Sequence, residues 1–185
     1  MSALSGIFGL YTLDIDFSVV NPPRRIPYAE LFAVVTCVLA TAVLRPRFWE
    51  WERVGTVRTR FVAAAMVPVA CAAAVVPVFT TAMRLPPNMP WTWLVSNVLT
   101  MGAFTLIFAA LLGPPIGAAT SLVSYFGIAI ADNLEFRETP WLPLVPYPGP
   151  EGNWALAVIA VVVAMGVHAW TLGTTSWAHR LGRND

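Results

Sequence analysis

Residues 61–83 read FVAAAMVPVACAAAVVPVFTTAM, a run that contains no Asp, Glu, Lys or Arg. The run is longer than the ~18 apolar residues that mark a helix able to cross a bilayer. The hydrocarbon offers no water to backbone N–H and C=O groups, so a run of this length must bond them internally as an α-helix. The segment therefore predicts a membrane-spanning helix.

Four further apolar runs flank this one, and nearly all charged residues fall in the short stretches between runs. The sequence is 57% hydrophobic and 11% charged, whereas a soluble domain carries roughly 25% charged residues. We predict an all-α fold, a polytopic bundle of transmembrane helices surrounded by the lipid bilayer. The five predicted spans are residues 28–44, 61–83, 91–112, 115–131 and 154–177.

These spans divide the chain into three parts. Residues 1–27 form a predicted extracytoplasmic segment, residues 28–177 the transmembrane helical domain, and residues 178–185 a cytoplasmic tail. The first twenty residues have no basic stretch before their apolar residues, which Asp14 and Asp16 interrupt. This pattern is not that of a signal peptide.

The orientation follows from the arginines, which supply all eleven basic residues. If the first connection faces the cytoplasm, seven arginines lie inside and four outside, as the positive-inside rule favours. The inner set is Arg45, Arg47, Arg53, Arg58, Arg60, Arg180 and Arg183, and the outer set is Arg24, Arg25, Arg84 and Arg137. We therefore predict a multi-pass membrane protein with its N-terminus outside and its C-terminus inside.

Prolines and glycines mark two special points in the bundle. Pro68 and Pro77 each remove a backbone hydrogen bond within the second span, which predicts a kinked helix. Gly113, Pro114 and Pro115 predict a tight inner hairpin between the third and fourth spans. The proline-rich loop 132–153 fits either a structured cap on the bundle or an interfacial connector.

Polar residues within the spans suggest a translocation path. His168, Thr171 and Thr175 are spaced to share one face of the last helix, and Asn97 lies in the third span. An ionisable residue within a membrane is a functional candidate. The alternative is that His168 is neutral and that these groups only form hydrogen bonds between helices.

The first inner loop is the other candidate site. Trp49, Glu50, Trp51, Glu52 and Arg53 predict a short amphipathic segment with its rings at headgroup depth and its charges in water. Arginines alone suffice for positive-inside anchoring, to which Glu contributes little. The two glutamates therefore favour a docking surface for a cytoplasmic partner, and the alternative is a plain anchoring loop.

Enzymatic and cofactor motifs are absent from the sequence. It contains neither GxxxxGK[ST] nor GxGxxG, and neither HExxH nor GxSxG. Cys37 and Cys71 lie singly in apolar runs at similar predicted depth, so we expect no metal site and no disulfide. With a net charge of +1, nothing favours a nucleic-acid partner. We expect a protein that is not an enzyme and has no cofactor.

The sequence resembles a loosely defined group of actinobacterial membrane proteins that accompany ABC-type ATPases and are described as permease-like. The matching segments are Arg25-Ile-Pro-Tyr-Ala-Glu-Leu31, Trp51-Glu-Arg53, Arg60, Ser96-Asn-Val-Leu99, Gly102 and Leu112-Gly-Pro114. Members of the group tend to begin with a further basic-flanked hydrophobic helix, and residues 1–27 do not show that pattern. The group supplies no catalytic or substrate residue to carry over.

The resemblance implies a membrane subunit of an ABC-type exporter, located in the bacterial cytoplasmic membrane. Such a subunit would work with a separate ATPase, and the count of five spans implies a second membrane chain. The alternative is a non-transporting membrane scaffold, or an immunity-type protein, that only binds partners.

Overall fold

The computed structural model describes residues 11–16, 21, 23–44, 57–84, 91–134, 144 and 151–181. Within these residues the chain is almost entirely helical, which confirms the predicted all-α fold. The helices are α1 (Tyr28–Leu44), α2 (Val57–Ala82), α3 (Thr92–Leu112), α4 (Pro114–Leu134), α5 (Trp154–Thr171) and α6 (Ser176–Leu181), and two short strands, β1 (Thr12–Ile15) and β2 (Arg24–Pro27), precede them.

Four of these helices, α2 to α5, are long and apolar enough to cross a membrane. Helix α1 is apolar but shorter, with 17 residues, so its crossing of the bilayer stays a prediction. Helix α2 begins at Val57, earlier than predicted, and runs without interruption through Pro68 and Pro77.

The helix that begins the last predicted span, α5, is shorter than predicted. Helix α5 ends at Thr171 because Leu172 adopts a left-handed conformation, with φ of 55° and ψ of 37°. Gly173 follows with φ of 87°, a conformation that only glycine adopts readily. The predicted span 154–177 is therefore two helices, α5 and α6, joined by a sharp turn.

Helix α3 forms the centre of the bundle. Helices α1, α2, α4 and α5 all pack against it. The buried share of its most apolar stretch is 72%, compared with 22 to 39% for the other three long helices. The other long helices thus turn most of their surface outward, and α3 turns most of its surface to protein.

Close packing around α3 depends on small side chains. A Cβ atom at Gly102 would lie 3.1 Å from the Cys37 Sγ and 3.8 Å from the Cys71 Sγ. Both cysteines are buried free thiols, and their common neighbour confirms that they lie at a similar depth. Helices α1 and α2 therefore approach α3 at the same level.

The predicted hairpin between the third and fourth spans is confirmed. Gly113 alone separates α3 from α4, with φ of 89°. One turn later, a Cβ atom at Gly117 would lie 2.5 Å from the Ala109 nitrogen and 2.6 Å from the Ala109 Cα. The α3 and α4 backbones can meet this closely only because residue 117 has no side chain.

Strands β1 and β2 pair antiparallel as a β hairpin. This β hairpin covers the end of the bundle opposite Gly113, and we call that end the hairpin end. The sequence did not predict these strands. Ile15 and Ile26 are buried in a cluster with Tyr125, Ala129 and Leu144. Leu144 belongs to loop 132–153, so at this residue the loop packs onto the bundle. We call the opposite end, where α2 begins, the Arg58 end.

We predict that Gly117→Ala destabilises the protein, because its methyl group would overlap backbone atoms that cannot move aside. Overpacking of this kind costs about 1–3 kcal/mol, which thermal unfolding in mild detergent would detect. The matched control is Gly127→Ala on the same helix, where an added Cβ meets nothing within 4 Å. The control should be neutral or slightly stabilising; equal losses for both variants would refute the close-approach explanation.

Candidate functional site

A cavity of about 270 Å³ lies at the Arg58 end, between α2, α3 and the end of α5. Its size is just below the ~300–1,000 Å³ of ordinary small-molecule sites. Its walls are Thr41, Arg58, Thr59, Val62, Ala63, Met66, Val67, Ala70, Leu106, Ala109, Pro114, His168, Leu172, Gly173 and Thr174.

Short residues line the cavity where α2, α3 and α5 meet. Helices α2 and α5 pack against each other and against α3. Toward the Arg58 end the facing residues include Ala63, Ala109 and Gly173, which fill little volume. The turn after α5 forms another part of the wall.

The polarity of the cavity changes along its length. Its wall on α2 extends from Arg58 to Ala70, which at a rise of about 1.5 Å per residue is roughly 18 Å. Since α5 ends where α2 begins, His168 and Thr174 lie at the same end as Arg58. The deeper part is bordered by Met66, Val67, Ala70 and Leu106. One end of the cavity is therefore polar and the other apolar.

His168 is the most informative side chain of the polar end. It is 7% exposed, and its Nδ1 lies 3.1 Å from the Ala164 carbonyl oxygen. A carbonyl can only accept a hydrogen bond, so Nδ1 carries the proton in this contact. In the neutral ring the other nitrogen, Nε2, is then an acceptor. The sequence-predicted candidate is thus a residue of the cavity wall.

The hairpin end holds a second polar site, built around the buried carboxylate of Glu30. Glu30 lies in the first turn of α1 and is 2% exposed. Asn97 of α3 donates a hydrogen bond of 2.8 Å to its Oε1, and the Tyr125 hydroxyl of α4 donates to its Oε2. Both oxygens are satisfied, so one carboxylate joins three helices.

An ion pair lies beside this carboxylate. Arg24 of β2 donates to Asp132 near the end of α4, and both side chains are largely buried. Asn21 donates a hydrogen bond of 2.8 Å to the backbone oxygen of Asn133. The β hairpin is thereby attached to α4 directly above the Glu30 site. Ionisable groups in an apolar bundle are costly unless paired in this way.

The structure separates the residues of the predicted translocation path. Asn97 bonds Glu30 at the hairpin end, whereas His168 lies at the Arg58 end. The Thr171 hydroxyl bonds the Val167 carbonyl one turn earlier. Thr175 lies beyond the left-handed Leu172, so it does not share a helix face with His168 as predicted. A role of these residues in translocation stays a prediction.

Thr175 instead completes the end of the central helix. Its backbone N–H donates to the Ala110 oxygen, and its hydroxyl donates to the Leu111 oxygen at 2.9 Å. The last carbonyls of a helix have no partner within the helix itself. The same hydroxyl accepts from the Ala178 N–H and so caps α6.

The predicted docking segment, Trp49 to Arg53, lies outside the described residues. The Glu30 site was not predicted from the sequence, nor were the roles of Arg24, Tyr125 and Asp132 in it. One signal was present, because Glu30 is the only charged residue in the predicted span 28–44. Its partners lie far along the chain and have no short-range pattern.

The four long apolar helices place this chain among the helical membrane proteins. Protein-family models, curated proteins and solved structures give no match to the chain.

We predict that Tyr125→Phe destabilises the bundle, because it removes a donor from the buried Glu30 carboxylate. Hydrogen bonds to charged groups contribute about 1.5–3 kcal/mol, measurable as a lower unfolding temperature in detergent. The matched control is Tyr28→Phe, whose hydroxyl forms no hydrogen bond within the described part of the chain. If the two variants lose the same stability, the Tyr125 contact with Glu30 does not hold the helices together.

Proposed function

We propose that the chain is a membrane subunit of an ABC-type exporter in the bacterial cytoplasmic membrane. It would work with a separate ATPase and a second membrane chain. The observation that supports this proposal most is the position of the cavity. The first turns of α2 form part of its wall. In the sequence, these turns come shortly after residues 49–53, the segment proposed to dock the ATPase.

This arrangement offers a mechanical connection between an ATPase and the cavity. A force on residues 45–56 would act first on the beginning of α2, where Arg58, Val62 and Met66 border the cavity. Pro68 follows these residues along α2 and provides no N–H for the helix hydrogen bond. The part of α2 that precedes Pro68 could therefore tilt at this weakened turn and change the width of the cavity.

The alternative, a scaffold that only binds partners, needs neither a cavity nor a movable wall. The two proposals differ in the partner that they require. Purification of the unmodified protein in mild detergent should recover an ATPase under the first proposal. Recovery of other membrane proteins without an ATPase would favour the scaffold.

Our topology prediction places the Arg58 end in the cytoplasm. In a background with Cys37 and Cys71 replaced by Ala, we introduce Glu50→Cys or Glu138→Cys and label intact cells with an impermeant thiol reagent. Only the cysteine at position 138 should react, because the arginines hold the other loop inside. Labelling at position 50 in intact cells would invert the orientation.

We further predict that Glu50→Ala combined with Glu52→Ala lowers co-purification of the ATPase tenfold or more. Truncating one partner of a buried interfacial charge pair costs roughly 2–5 kcal/mol, and about 1.4 kcal/mol already corresponds to tenfold. An exposed pair within the chain would contribute only about 0–1 kcal/mol. Quantitative mass spectrometry of the purified complex measures the ratio.

The control removes two carboxylates from the opposite end, with Asp16→Ala and Glu151→Ala, both exposed. This variant should recover the ATPase fully, and all variants should be equally abundant in the membrane. Full recovery with the Glu50 and Glu52 variant would remove the docking role of the first inner loop.

A further inference from the structure

We propose that the cavity at the Arg58 end binds a single-chain lipid whose anionic head carries a hydroxyl group, the chemistry of lysophosphatidylglycerol. The inference rests on the cavity itself. It requires no ATPase and no second chain, so it holds whether the protein exports this lipid or only carries it.

The deep part of the cavity selects an apolar chain. Met66, Val67, Ala70 and Leu106 present only apolar groups, against which a polar ligand would lose its water without replacement. The cavity borders α2 over roughly 18 Å, yet its volume is only about 270 Å³. A volume this small over that length leaves room for one unbranched chain rather than two side by side.

Arg58 selects the charge of the head. It lies in the first turn of α2, exposed at the polar end of the cavity, and it forms no ion pair with any described residue. A guanidinium binds a phosphate through two parallel hydrogen bonds. The same charge repels an ammonium head, so a zwitterionic choline lipid should bind more weakly.

His168 selects a hydrogen-bond donor on that head. Its Nδ1 is used by the Ala164 carbonyl, and its Nε2 accepts no hydrogen bond from the part of the chain that the structure describes. His168 lines the cavity, so a ligand hydroxyl at this end of the cavity could donate a hydrogen bond to Nε2. A simple fatty acid carries an anionic carboxylate without this donor. The glycerol head of lysophosphatidylglycerol has both the phosphate and free hydroxyls.

The test uses the purified full-length protein and native mass spectrometry, titrated separately with three probes. Lysophosphatidylglycerol should bind at least tenfold more tightly than lysophosphatidylcholine with the same acyl chain. Glycerol 3-phosphate, the head without the chain, should show no binding. Binding of glycerol 3-phosphate as tight as that of the lipid would mean that the site takes a free phosphate, and it would overturn the proposal.

Substitutions then identify the cavity as the place of binding. Arg58→Gln should remove most of the preference for the glycerol lipid over the choline lipid. His168→Leu should lower the affinity for the glycerol lipid at least fivefold, with a smaller effect on the affinity for the choline lipid. Arg58 is exposed, so its replacement leaves the packing of the bundle intact. The Arg58 variant therefore tests the proposal even if replacing the buried His168 disturbs the packing.

A matched pair of tryptophan variants separates the cavity from the lipid-facing surface. Ala63→Trp fills the cavity and should abolish binding of lysophosphatidylglycerol. Ala65→Trp adds the same bulk to an exposed position of the same helix and should leave the affinity unchanged. Equal affinities of the two variants, or equal binding of both lipids to the unmodified protein, would mean that the lipid contacts the protein surface without specificity. Either result would overturn the proposal. Neither result changes the ATPase recovery expected above.

Discussion

The other helices that the structure describes are positioned by their close packing around α3. In a membrane, lipid chains are as apolar as leucine, so helices gain little by hiding apolar side chains and associate through close contact instead. Gly102 admits the two cysteine sulfurs from α1 and α2, and Gly117 brings α4 against Ala109. These two approaches set the distances of α1, α2 and α4 from α3.

The same central helix has a polar site near each end, and the two differ in kind. At the hairpin end, the Glu30 carboxylate has a donor for each oxygen and joins three helices, so the site is closed and structural. At the Arg58 end, the His168 ring borders an open space and the Arg58 charge lies at its rim. A closed site gives stability, whereas a site that borders a cavity leaves side-chain groups available for a ligand.

The helices could be predicted from the sequence because the bilayer rule depends only on length and the absence of charge. The ends of helices were harder, since Leu172 stops α5 in a left-handed conformation that is uncommon for a leucine. His168 was found because a lone ionisable residue is visible within an apolar run. The Glu30 site was not, since its partners Asn97 and Tyr125 are separated from it by 67 and 95 residues. Such contacts arise from tertiary packing and leave no local periodicity.

The bonds of Thr175 determine which part of the bundle the C-terminal helix follows. Although α6 comes after α5 in the chain, Thr175 joins it to the last carbonyls of α3. The left-handed turn at Leu172 and Gly173 separates it from α5. A displacement of α5 would therefore be taken up at that turn, while α6 would stay bonded to α3. A probe attached to α6 would report the frame of the bundle, and a probe on α5 would report its motion relative to that frame.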